Sequence, residues 1–216
     1  MCIICISKKG IRQPNTKELK NMFDSNPDGA GFMYLKKDGV HISKGYMDFQ
    51  ELQNQLLKMN FTNDDVVIYH FRKSTQAGVH PEFTHPYPYT TKMDNCKALD
   101  LICSLGIAHN GIISFTSDGS KKYNDTMLFI TNYFVKIVKN RNDLLDEKIQ
   151  DIILQLTKSK FAFLDKYGDV VTIGDFNKND DGLLFSNFSY LDKININDFY
   201  NQKYISKNCA LKGFKY

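Results

Sequence analysis

The sequence predicts a layered α+β domain, on three observations. Short apolar runs of strand type gather towards both ends of the chain, and capped, helix-patterned stretches lie between them. At 216 residues and 42% hydrophobic content, the chain can also bury one sizeable core. No internal repeat, linker or low-complexity segment divides it. Residues 1–190 are therefore expected to form one domain, with 191–216 a C-terminal tail packed on it.

The elements follow in order. Residues 2–7 are apolar on both faces, as a central buried strand requires. Asn15 and Glu18 form a capping-box pattern that starts a helix reaching about Ser25. Residues 31–36 and 40–46 read as a hairpin around Lys37-Asp38-Gly39. Asp48 and Glu51 cap a helix ending near Met59, with Leu52, Leu56 and Met59 on one face. Residues 65–72 are a second strongly apolar strand, and a loop with Pro81, Pro86 and Pro88 follows. Residues 105–113 hold another strand, interrupted by Asn110-Gly111. Helices are expected over 125–139 and 143–158, then strands over 161–165 and 169–173 around Lys166-Tyr167-Gly168, and a third over 183–186.

Composition narrows the function classes. A net charge of +4 without a dense basic run gives no case for nucleic acid or a membrane surface. Five cysteines without framework spacing, no signal-peptide pattern and no membrane-length apolar run predict a reduced, cytoplasmic setting. Lysine dominates the positive charge; the arginines are Arg12, Arg72 and Arg141.

Cys2 is the residue of greatest chemical interest. The small cysteine side chain predicts removal of Met1, which leaves a thiol beside a free α-amine. That amine titrates near pH ~8 and can serve as the thiol's own general base. Downstream come His70-Phe71-Arg72-Lys73-Ser74-Thr75, His85-Pro86, Ala108-His109-Asn110-Gly111 and Asn124-Asp125-Thr126, and upstream of these the turn Asp28-Gly29-Ala30-Gly31. In order and spacing, from Cys2 to about residue 190, these segments resemble the class II glutamine amidotransferases of the N-terminal-nucleophile (Ntn) hydrolases.

The resemblance implies a four-layer αββα sandwich and hydrolysis of the glutamine side-chain amide to glutamate and ammonia. Cys2 would be the nucleophile and form a thioester. Asn110 and Gly111 would supply the oxyanion donors, one side-chain amide and one backbone N–H. Arg72 would hold the substrate α-carboxylate with its planar fork, and Asp125 the α-ammonium. His70 shares a strand face with Arg72; Thr75 and His85 complete the candidate substrate-binding set, with loop shaping as their other reading. Helix N-capping is the other reading of Asp125, and a hairpin turn that of Asn110-Gly111. No metal or cofactor is implied. The implied partner is glutamine or a similar small amide; either a separate synthase accepts the ammonia, or the enzyme simply hydrolyses the amide.

The pattern departs from the family at Ile3, at Gln76-Ala77 and at Met127, which keeps another small amide open as substrate. A catalytically inactive binding module of the same fold is the competing class. Cys2-Ile3-Ile4-Cys5 also has Cys-x-x-Cys spacing, but residues three apart on a strand diverge, and no second such pair completes a zinc site.

Overall fold

The computed structural model describes residues 1–74, 78–116 and 122–191. Its strands are β1 (Ile3–Ser7), β2 (Ala30–Lys36), β3 (Gly39–Tyr46), β4 (Val67–Phe71), β5 (Tyr87–Pro88), β6 (Asp100–Cys103), β7 (Leu105–Asn110), β8 (Lys160–Asp165), β9 (Val170–Ile173), β10 (Asn177–Lys178) and β11 (Leu184–Phe185). They form two antiparallel sheets. The larger has seven strands in the order β10-β11-β1-β4-β2-β3-β6, and the smaller has four in the order β5-β7-β8-β9. The chain is thus mixed α/β with two antiparallel sheets and helices.

Alternation along the strands sorts the core into three clusters. Ile3 and Cys5 of β1, Val67, Tyr69 and Phe71 of β4, and Phe32 of β2 pack with Leu19, Met22, Phe23 and Leu52. The last four come from helices α1 (Thr16–Ser25) and α2 (Phe49–Met59). Side chains one position out of phase, Ile4, Ile6, Met33, Ile42 and Ile68, instead join Ala108, Ala162 and Leu164 of the smaller sheet. Gly106 on β7 permits this approach, because a Cβ there would lie 3.2 Å from Val40 Cγ1. The far side of the smaller sheet presents Ile107, Phe161 and Phe163 to Met127, Phe129, Phe134 and Ile153.

Both predicted N-caps of the first half are present. Asn15 and Glu18 exchange side-chain bonds with each other's backbone, and Asp48 accepts from Gln50 and Glu51. The strand expected over 65–72 is shorter, because Asp65 turns its carboxylate back to the Thr62 N–H. The strand expected over 105–113 stops at Asn110.

The helical half needs more correction. The stretch expected over 125–139 begins as α-helix (Asp125–Phe129), loosens to a π turn (Ile130–Phe134) and regains α geometry for Val135–Ile137. The helix expected over 143–158 is two helices, Arg141–Leu145 and Glu147–Thr157. Asp146, extended at ψ 117°, ends the first and caps the second. Strands β5, β6 and β10 and the short helix Met93–Lys97 lie in segments without a clear period. The terminal strand groups are not separate either, since β11 pairs directly with β1. Of the tail expected over 191–216, all but Leu191 lies outside the described residues. Among the described residues, no helix is long and apolar enough to cross a membrane.

Candidate active site

The same alternation that buries Ile4 and Ile68 between the sheets governs the chemistry-bearing residues. Cys2 shares the phase of Ile4, and His70 and Arg72 that of Ile68. In the ladder Ile3 pairs with Phe71 and Ile4 with His70, so Cys2 and Arg72 lie one step beyond the last pair of β1 and β4. On the facing sheet Asn110 shares the phase of Ala108. A hydrogen-bond relay joins the two sides: Asn110 Nδ2 meets Ser186 Oγ at 2.9 Å, and Ser186 Oγ accepts the Ile4 N–H at 2.9 Å.

Cys2 is half-buried, and its sulfur lies against the backbone of Lys73, whose N–H approaches at 3.5 Å. Burial pushes the thiol pKa up. The Lys73 N–H, the Arg72 guanidinium and the N-terminal ammonium draw it back, while Asp125 adds to the rise. Arg72 and Asp125 thus act on one sulfur with opposite signs. The main chain is tethered on both sides of the Met1–Cys2 bond. Asn26 Nδ2 donates to Met1 O at 2.8 Å, and Asn187 Nδ2 to Cys2 O at 2.8 Å.

Arg72 is only 5% exposed. Its backbone exchanges bonds with the Asp28-Gly29 turn, and its Nη2 donates to Ser74 Oγ at 3.1 Å. Its Nη1 is buried and has no partner among the described residues. A buried guanidinium with an unused donor is costly unless a ligand accepts from it. Asp125 is not the helix N-cap; Asn124 holds that position and accepts from the Met127 N–H. The Asp125 carboxylate instead accepts the backbone N–H groups of Ile113 (2.7 Å) and Thr126 (2.9 Å), which fixes it beside the strand end.

Gly111 follows Asn110 where the chain leaves β7. A Cβ there would lie 2.6 Å from Ser159 Cβ and 3.2 Å from His109 Nε2, so the turn admits glycine alone without displacement. Asn110 itself is buried, and its Oδ1 has no donor among the described residues.

His70, His85 and His109 form a buried group around Thr126. His70 Nε2 donates to His109 O at 3.0 Å and its ring stacks on His85 at 4.2 Å. His85 Nε2 and His109 Nδ1 share Thr126 Oγ1 at 3.2 and 2.8 Å. Burial holds His70 down to about 3 and His109 to about 4, with the His109 carbonyl opposing the first and Asp125 the second. Burial also lowers His85, and His70, His109, Lys44 and Arg72 push it in the same direction. The three rings link β4, the 81–88 loop and β7. Thr75 lies outside the described residues.

Several residues here escaped the sequence reading. Ser186 and Asn187 carry no motif, and the bonds of Asn26, which opens the 26–32 turn segment, to Met1 O and Phe71 O are long-range. Lys44 is 3% exposed, donates to the carbonyls of Glu82, Thr84 and Cys96 at 2.7–3.0 Å, and lies 3.9 Å over the Tyr87 ring. Its only sequence signal is a lysine at a core-facing position of a strand. Among the described residues, no group of His, Cys, Asp and Glu is arranged to hold a metal ion, and Cys2, Cys5, Cys96 and Cys103 are free thiols. No protein-family model matches the chain, and no curated protein matches it significantly.

Proposed function

We propose that the chain is a cysteine-dependent amidohydrolase of the class II glutamine amidotransferase type, built as an αββα sandwich. It releases ammonia from the side-chain amide of glutamine or a similar small amide. One observation carries the reading: Cys2 and Arg72 share the core-facing phase of one sheet's end, joined by Ser186 to Asn110 on the facing sheet. The three-cluster core, with helices outside each of two apposed sheets, supports the sandwich.

The chemistry runs as follows. Removal of Met1 frees the Cys2 α-amine, which takes the thiol proton as sulfur attacks the amide carbon. The oxyanion is held by the Asn110 carboxamide and the Gly111 N–H. The intermediate collapses when the protonated α-amine hands its proton to the departing nitrogen, leaving ammonia and a γ-glutamyl thioester. Water, deprotonated by the same amine, cleaves the thioester to glutamate and free thiol. The unpartnered Nη1 of Arg72 suits the substrate carboxylate, and Asp125 the ammonium. A separate synthase would take up the ammonia.

Intact mass before and after an electrophilic glutamine analogue tests this. Loss of Met1 with one adduct on Cys2, suppressed by excess glutamine, is the expected outcome, and Cys2→Ala abolishes both adduct and turnover. Loss of Met1 with no adduct would move the substrate to another amide. Retained Met1 with an inert Cys2 would overturn the enzyme in favour of a binding module.

A further inference from the structure

Ser186 follows β11 and is held on every side. Its N–H donates to Ile4 O at 3.0 Å, its carbonyl accepts from Lys160 Nζ at 2.8 Å, and its Oγ accepts the Ile4 N–H. Two of these bonds belong to the nucleophile strand and one to β8, whose Lys160 pairs with Asn110. The hydroxyl therefore stands at a fixed point between the Cys2 strand and the Asn110 side chain.

That fixed point leaves an imbalance. With Asn110 Nδ2 donating to it as well, Ser186 Oγ accepts twice, and its own proton has no acceptor among the described residues. Asn110 Oδ1 meanwhile is buried without a donor. A hydroxyl offers one donor, and a carboxamide turned by 180° fills the same volume. Turning the Asn110 carboxamide repairs both faults: Ser186 Oγ–H donates to Oδ1, and the Ile4 N–H keeps its acceptor. The group left unpaired is then Nδ2, a donor without an acceptor, which is what an oxyanion site requires before substrate arrives.

We propose that Ser186 is the positioning residue of this oxyanion donor, orienting Asn110 through Oδ1 so that Nδ2 faces the reacting carbonyl. The inference rests on the amidohydrolase reading for its catalytic meaning, but the orientation itself can be measured alone. Cys2 alkylation by iodoacetamide is displacement at saturated carbon and develops no oxyanion, so it separates Ser186 from thiol reactivity. Relative to wild type, Ser186→Ala should lower kcat for glutamine about 10-fold or more, against the ~100–1,000-fold typical of losing an oxyanion donor outright. KM and the alkylation rate should stay within about twofold, and adding Ser186→Ala to Asn110→Ala should cost nothing further. A parallel fall in alkylation, or effects that multiply in the double variant, would overturn the proposal.

Ser186→Ala also strips the Ile4 N–H of its acceptor and can fail to fold, so neutron diffraction on the deuterium-exchanged wild-type protein provides a second arm. A deuteron on Ser186 Oγ directed at Asn110 Oδ1 is expected. Carboxamide deuterons directed at Ser186 Oγ would overturn the inference. A wild-type protein that turns over no amide, yet shows the first pattern, would sink the proposed activity and leave the orientation standing.

Discussion

At the residue scale, the most informative groups are the buried polar ones. Arg72 presents a sealed guanidinium with an unused Nη1, and in the proposed reaction a substrate carboxylate completes it. Arg72→Ala should then remove about 2–5 kcal/mol of binding. That is a KM increase for glutamine of roughly 30-fold or more. An amide lacking the α-carboxylate should barely notice, and equal effects on the two substrates would refute the clamp. Lys44 tests the scaffold in the same way. Burial pulls its pKa well down, yet its three donors hold three backbone carbonyls of the 82–96 segment. Lys44→Met keeps the stem and deletes the donors, and should cost about 3 kcal/mol at roughly 1 kcal/mol per bond. Urea denaturation would register this as a lower midpoint with an unchanged slope. Arg72 stood out in the sequence because arginine is scarce here and its neighbours form a motif. Lys44 did not, because one lysine among many looks like solvated charge until its strand phase is known.

At the scale of elements, short-range chemistry proved readable and the interruptions did not. Asn15 with Glu18, and Asp48 with Glu51, announce their helices because the bonds that start a helix join residues two and three apart. The same logic missed Asn140, whose side chain accepts from Asn142 and Asp143 while Asp143 answers back. The sequence pattern starts the helix at Asp143, which is the third residue of a helix already begun. Asn140→Ala should cost about 1 kcal/mol, while Asp143→Asn should cost less because a carboxamide oxygen can still accept. Thermal unfolding of the two variants side by side would decide. The break at Asp146 and the π turn at Ile130–Phe134 preserve an apolar stripe while changing the backbone, so periodicity alone sees one helix where there are two.

At the scale of the molecule, the α+β class was legible, whereas the meeting of the sheets was not. Alternation predicted that His70 and Arg72 share a face. It could not say that β7 lies opposite, or that the last strand pairs with the first, because those contacts are nonlocal. The same long-range packing creates an acid sensitivity. His70, His85 and His109 are held neutral in the fold, with pKa values below the ~6.5 they take in an unfolded chain. Above that pH both states are neutral and the packing is fully retained. As pH falls, the unfolded chain binds protons first, so stability drops through the window down to the folded values of about 4 for His109 and about 3 for His70. The slope approaches about 1.4 kcal/mol per pH unit for each such histidine. Denaturant titrations from pH 7 to pH 4.5 should show a steadily falling midpoint, and His85→Gln should flatten the curve. A curve flat across that range would mean the rings are not held neutral.

The Ile4 N–H finds its acceptor 182 residues downstream, and the Cys2 carbonyl finds its donor 185 residues downstream. At about 5–20 residues per second, a ribosome needs roughly 10–40 s to cover that distance. The beginning of the chain is thus exposed long before the groups that embrace it exist. In the proposed enzyme the initiator methionine would be trimmed from a loose end, and the thiol would gain its setting only once residues 186 and 187 have been made. Topology then acts as a clock: a nascent copy would carry the proposed nucleophile without its setting until residues 186 and 187 arrive.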